Sequence, residues 1–236
     1  AIFGFLIAFL LYMMIVLYGQ NILRGVLEEK TTRVAEVIVS SVSPDVLLAG
    51  KVIGVGSVGL LQQLVWLSSA TAFYHWREPI FAKFGLPAGP AIELPAVPPM
   101  LIVALVLFFI LGYTFYSSLF AAVGAMVGSM EEAQQASQPI LMLLVFSIIF
   151  VQPVMTDPTG KMATVLSFLP WSAPIIMPMR MTATPVPTGE ILASLASVAI
   201  ACAAAIWLSA RIYRVGLLMY GKRPSIKELV RWIRQA

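Results

Sequence analysis

The 236-residue chain is 60% hydrophobic and only 11% charged, with a mean hydropathy of +0.92, and no soluble domain of this length keeps so much apolar surface from water. One cysteine, Cys202, and one histidine, His75, exclude a disulfide framework and a metal site built from several soft ligands. The net charge of +4 would point to nucleic acid in a soluble protein. In a membrane chain its placement is what matters, and no nucleic-acid partner is expected.

Lipid offers no hydrogen bonds to a backbone, so spanning segments are helices or a closed barrel, and the apolar runs here are continuous rather than alternating. An all-α polytopic bundle is expected. Runs of about 20 residues, enough to cross roughly 30 Å of hydrocarbon, fall near Ile2–Leu23, Val46–Tyr74, Pro99–Met126, Pro139–Met155 and Ile191–Ile212. The chain opens at Ala1 without an initiator Met or the basic start of a signal peptide, so a fragment lacking its N-terminal part is expected.

After the first span, Arg24–Asp45 keeps helical spacing: Leu27, Val34, Ile38 and Val42 form a stripe, with Glu28, Glu29, Arg33 and Glu36 elsewhere around the helix. This predicts an amphipathic helix over 25–43, with Glu29 and Arg33 as an i,i+4 pair. Ser43-Pro44-Asp45 supplies an N-cap, a first-turn proline and a first-turn acid for the second span. Within that span Gly54-x-Gly56-x-x-Gly59 imitates a dinucleotide fingerprint but lacks the strand such a fingerprint follows. With Gly50 it is read as a small-residue packing face, as is Gly124-x-x-x-Gly128.

From His75 to Pro98, Pro79, Pro87, Pro90, Pro95 and Pro98 predict an extended loop, with Trp76, Phe81 and Phe84 as interfacial aromatics. No ionised side chain lies deep in the five runs, which removes the usual device of an ion-coupled carrier. The polar groups there are Gln62 and Gln63, then Tyr113, Thr114, Ser117 and Ser118. They are read either as interhelical hydrogen bonding or as the lining of a pathway.

Lys161–Met181 is apolar but broken by Pro170, Pro174 and Pro178. It is read as two short helices that dip into the outer leaflet and return, a re-entrant segment over 157–187 that includes Trp171 and Arg180. A sixth span is the alternative, and the basic residues argue against it. With five spans, Arg24, Lys30, Arg33, Lys51, Arg211, Arg214, Lys222, Arg223, Lys227, Arg231 and Arg234 share one side, whereas Arg77, Lys83, Lys161 and Arg180 share the other. The richer side, with the C-terminus, is expected to be cytoplasmic. A basic helix over 225–236, opened by Ser225 and Glu228 at capping-box spacing, is expected to lie on that membrane surface.

No G-x-x-x-x-G-K-[ST] string occurs, so the chain does not cradle ATP phosphates in the P-loop manner. Glu28-Glu29-x-x-x-Arg33 matches the string of intramembrane CAAX-type proteases, but those centres need further histidines, and His75 falls on the other side. A channel or ion-coupled carrier is the other competing reading.

Three separated segments carry a family resemblance. N-I-L-R-G-V-L-E-E-K-T-T-R-V-A-E-V-I-V-S-S-V-S-P-D-V-L-L-A-G-K at Asn21–Lys51, F-L-P-W-S-A-P-I-I-M-P-M-R-M at Phe168–Met181 and M-Y-G-K-R-P-S-I-K-E-L-V-R-W-I-R at Met219–Arg234 together resemble NatB-type permeases. These belong to the type-2 class of ATP-binding-cassette exporters. The resemblance extends over nearly all of residues 1–236 and implies a permease in the cell membrane, with the five spans corresponding to the second through sixth of a six-helix half-transporter. It also implies pairing with a second permease copy, identical or related. The resemblance further implies a separate ATPase subunit that holds ATP and Mg²⁺, none being bound by this chain, and that docks against Glu28, Glu29, Lys30, Thr31, Arg33 and Glu36 of the cytosolic coupling helix. Sodium is its suggested cargo, with a small or amphipathic molecule as the alternative.

Overall fold

The computed structural model describes residues 2–34, 41–83 and 99–216, and among them every regular element is helical. In chain order these are α1 (Ile2–Thr31), α2 (Pro44–Lys83), α3 (Pro99–Met126), α4 (Met130–Ile149), α5 (Val151–Thr156), α6 (Lys161–Phe168), α7 (Ala173–Ala183) and α8 (Thr188–Gly216). Among the described residues five segments are long and apolar enough to cross a bilayer: Phe3–Thr31, Pro44–Phe73, Pro99–Met126, Met130–Thr156 and Thr188–Gly216.

Several boundaries differ from those expected. The first span does not stop at Leu23, because Arg24–Thr31 are mostly good helix formers and simply continue α1. The helix ends where Thr32 Oγ1 turns back to Glu28 O at 2.7 Å and Arg33 enters the left-handed region at φ 58°, a conformation that terminates helices. Glu29 and Arg33 therefore do not share one helix, and Glu29 accepts from Lys51 instead. The element expected over 25–43 thus begins inside α1; its residues 35–40, with Glu36, lie outside the described residues, as do Phe84, the prolines from Pro87 to Pro98, and the tail 225–236.

The loop expected from His75 is helical as far as Lys83, with Pro79 inside α2. Pro79 forfeits one hydrogen bond, but it does so beyond the apolar span that ends at Phe73. The fourth span starts at Met130 rather than Pro139. Ser129 caps it by accepting from Glu132 N at 3.2 Å, and Glu131 and Glu132 favour its first turn. Its break at Phe150 falls three residues before Pro153, whose missing donor and ring interrupt the ladder to Ile149.

Helix α3 is the axis of the bundle, packed against α1 on one side and α8 on the other, with α7 between them. Gly124 lets the backbones close, since a Cβ there would lie 2.9 Å from Leu23 O on α1. Gly128 lies beyond the end of α3 at Met126, and among the described residues a Cβ there would meet only Glu132 Oε2, at 3.9 Å. The main core joins Ile15 and Leu23 of α1, Tyr116 and Phe120 of α3, Leu144 of α4 and Ile175, Ile176 and Met179 of α7. Lipid is as apolar as this core, so what favours it is close packing and internal hydrogen bonding rather than escape from water.

Candidate functional site

Two features stand out from the helical scaffold, one buried at mid-depth and one at the end of the bundle that carries Lys30 and Arg214. The buried one is the hairpin of α6 and α7. Its helices have 8 and 11 residues, far short of the roughly 20 needed to span. Pro174, at the start of α7, touches the middle of α3, where a Cβ on Gly112 would lie 2.5 Å from Pro174 Cβ. The two legs meet again at their other ends, where Arg180 Nε donates to Pro158 O at 2.7 Å. The hairpin therefore enters and leaves by one end of the bundle, with its turn at half depth.

A turn at that depth exposes carbonyls that no water reaches, and serine and tyrosine hydroxyls satisfy them. Ser172 Oγ donates to Leu166 O at 2.7 Å, Ser194 Oγ to Ser167 O at 2.5 Å and Ser197 Oγ to Phe168 O at 2.8 Å. Trp171 O accepts from Tyr116 OH at 2.6 Å and from Ser147 Oγ at 3.3 Å. The three prolines divide the work: Pro170 lies in the turn, Pro174 opens α7, where a missing donor is harmless, and Pro178 sits inside it. At the hairpin's base Arg180, 4% exposed, also donates from Nη1 to Glu190 Oε2 on α8 at 2.8 Å. Each leg is thus fastened to α8, and the turn to α3 and α4.

The second feature is ionic. Lys30 Nζ donates to Ala125 O at 2.5 Å, taking one of the carbonyls left free at the end of α3. The adjacent Glu29 pairs with Lys51 of α2 at 2.5 Å, and Asp45, in the first turn of α2, pairs with Arg214 of α8 at 2.6 Å. A Cβ on Gly216 would lie 2.8 Å from Ala125 O, so the end of α8 also presses on α3. Four spanning helices are therefore linked by polar contacts around one end.

Of the residues read as ATPase-facing, Glu28, Thr31 and Arg33 are exposed, whereas Lys30 is buried and Glu29 is turned towards Lys51. Among the polar groups within spans, Tyr18 donates to Gln62, Tyr113 OH to Val52 O at 2.9 Å, and Ser209 Oγ to Ser118 O at 2.6 Å. Thr114 Oγ1 donates within its own helix to Ile110 O at 2.7 Å, and Ser117 is buried. Gln63 is half-buried and enters none of these contacts between helices. Gly56 and Gly59 pack on Tyr113 and Phe109, but Gly50 and Gly54 have nothing within 4 Å among the described residues, which therefore use only half of that small-residue face. Glu28 and His75 are separated by most of α2, about 45 Å of helix at 1.5 Å per residue, so no protease centre forms from them.

Sequence reading missed Tyr116, Ser147, Ser172, Ser194 and Ser197 because a hydroxyl in an apolar helix looks the same whether it bonds its own turn or another helix. The spacing of Ser194 and Ser197 on one face of α8 was the available signal. It also missed Lys51, although a cation two turns into an apolar helix calls for a partner.

The profile for the ABC-2 family transporter protein matches residues 1–211. The uncharacterized protein MJ1024 of Methanocaldococcus jannaschii is 30% identical over 225 residues, 95% of this chain and 52% of that protein. The uncharacterized protein YhaP of Bacillus subtilis is 26% identical over 232 residues, 98% of this chain and 55% of that protein. The chain thus spans about half the length of the curated relatives it matches. No solved structure matches. Spanning helices without an ATP-binding motif and a profile matched from residue 1 to residue 211 place the chain, as a membrane permease domain, in the ABC-2 transporter family.

Proposed function

We propose that the whole protein is an exporter permease driven by a separate ATPase subunit, and that the ATPase docks at the Lys30 and Arg214 end. The observation that carries this reading is how the helix ends on either side of residues 35–40 are tied to the bundle. The chain leaves α1 through the left-handed Arg33, and Glu29–Lys51 and Asp45–Arg214 tie the adjoining ends of α1, α2 and α8. A push on these ends is therefore delivered to several spanning helices together.

In this reading ATP and Mg²⁺ reside in the partner, a second permease copy completes the translocation path, and the hairpin within 157–187 is a re-entrant lid on the far side. The Lys/Arg asymmetry makes the docking end and the C-terminus cytoplasmic in the cell membrane. The NatB-type resemblance makes Na⁺ the first cargo to screen, followed by small amphipathic molecules.

The coupling test uses Glu28→Lys combined with Arg33→Asp in the full-length protein with its ATPase, both positions being exposed and aspartate being tolerated at positive φ. Like charges at an interface cost several kcal/mol. The expected result is normal membrane abundance, weakened co-purification of the ATPase and loss of cargo-stimulated hydrolysis. Full binding with normal stimulation would refute the docking assignment. Orientation is checked in a Cys202→Ala background: a cysteine at Thr184 should react with an impermeant thiol reagent in intact cells, and one at Gln134 should not. Gln134 serves because it is exposed, whereas its neighbour Ala133 is buried.

A further inference from the structure

Between α2, α3 and α8 lies a groove of about 390 Å³ that opens sideways from the bundle. That volume falls towards the lower end of small-molecule sites, roughly 300–1,000 Å³. Along α2 it runs from Asp45 to Leu60, about 22 Å at 1.5 Å per residue, which exceeds the depth of one leaflet's hydrocarbon, about 15 Å.

Its wall is apolar in a specific way. Val52, Leu60, Phe109 and Ile206 line it, and the hydroxyls that also reach it all donate to backbone carbonyls. Tyr113 donates to Val52 O at 2.9 Å, Thr114 to Ile110 O at 2.7 Å, Ser118 to Thr114 O at 2.8 Å and Ser57 to Ile53 O at 2.8 Å. Water finds few partners there, and an apolar cavity of this kind stays dry or takes hydrocarbon. The polarity is concentrated at one mouth. Asp45 lines that mouth and pairs with Arg214, whose side chain is 48% exposed. One turn earlier on α8 the Arg211 guanidinium stacks over the Trp207 ring at 4.2 Å, and the indole is itself exposed. An aromatic and two arginines at a helix end have the chemistry of the bilayer interface.

The geometry points to a phospholipid site: one acyl chain lies in the groove between α2 and α8, and the phosphate rests on Arg214, whose fork has N–H groups beyond the one given to Asp45. This follows from the chain's membrane-spanning character alone and does not depend on the cargo or the ATPase.

The test is native mass spectrometry of the full-length protein in mild detergent, titrated with phosphatidylglycerol or with a diacylglycerol of the same acyl chains. One phosphatidylglycerol per chain should be retained at detergent levels that strip the remainder. Arg214→Gln should lower its retention about tenfold, as expected for one charged hydrogen bond, and the diacylglycerol should bind as weakly to the wild type. Ser57→Phe, which fills the groove from an exposed position, should abolish the retained lipid, while Gly54→Phe, which has nothing within 4 Å among the described residues, should not. An unchanged unfolding temperature verifies the fold of each variant. Retention surviving Ser57→Phe, or diacylglycerol held as tightly as phosphatidylglycerol, would overturn the proposal. So would a lipid-free dimer that Ser57→Phe separates, which would mean that a second copy fills the groove.

Discussion

In α7 every side chain from Ala173 to Arg180 is buried, whereas the apolar window of α2 is only 22% buried, with Ile53, Leu61 and Leu64 each more than half exposed. Both segments are apolar, so hydrophobicity does not separate them. The differences are small residues that admit a close neighbour and hydroxyls that serve a neighbour's backbone. Gly112 and four hydroxyls from neighbouring helices surround the hairpin, while much of α2 faces outward, where lipid is as good a neighbour as protein.

The sharpest way to break this contrast is bulk. Gly112→Leu drives a side chain into Pro174 and should destabilise the protein by about 3 kcal/mol, at the upper end of overpacking costs, whereas Gly54→Leu on α2 should be neutral. Thermal unfolding in detergent measures both, and equal effects would dissolve the distinction. Next in size is the hairpin's base. Arg180→Ala removes two charged hydrogen bonds from a buried group and should cost about 2 kcal/mol, reduced because Glu190 is 32% exposed and can be rehydrated. Arg180→Lys should recover only part of it, since an ammonium does not reproduce the fork that reaches Pro158 and Glu190 together.

Smaller still are the hydroxyls. Ser194→Ala and Ser197→Ala each leave one carbonyl of the hairpin without its donor, for about 0.5–1 kcal/mol apiece. Because both serve the same turn, the double variant should depart from additivity in a mutant cycle; strict additivity would mean that the two bonds do not support one element. The least effect belongs to Asp45→Ala, which breaks a pair whose partners are both nearly half exposed and should change stability by no more than about 0.5 kcal/mol. A large loss there would show that the ionic end supports the fold and does not merely link helices.

The difficulty of reading these regions from sequence has identifiable causes. The spans were legible because lipid demands length and apolarity, which are local properties. The apolar run begins only at Pro139, but Ser129 with Glu132 is the start signal and the helix tolerates the proline. Glu29 and Arg33 have i,i+4 spacing. That spacing has meaning only while the helix continues, and Thr32 and Arg33 end it.

Sequence by itself determined the lipid solvent, the helical class, the five crossings, the lack of an ATP-binding loop and the proline-broken segment after Asp157, because each follows from composition or near neighbours. Tertiary structure alone decided that Gly112 seats Pro174, that Ser194 and Ser197 complete the hairpin's backbone, that Lys51 answers Glu29, and that Arg214 closes on Asp45. Asp45 and Arg214 are 169 positions apart, and every one of these contacts joins different helices. In a medium where all apolar faces are equally at ease, which faces meet is set by shape and by unsatisfied carbonyls, and neither is visible until the chain has folded.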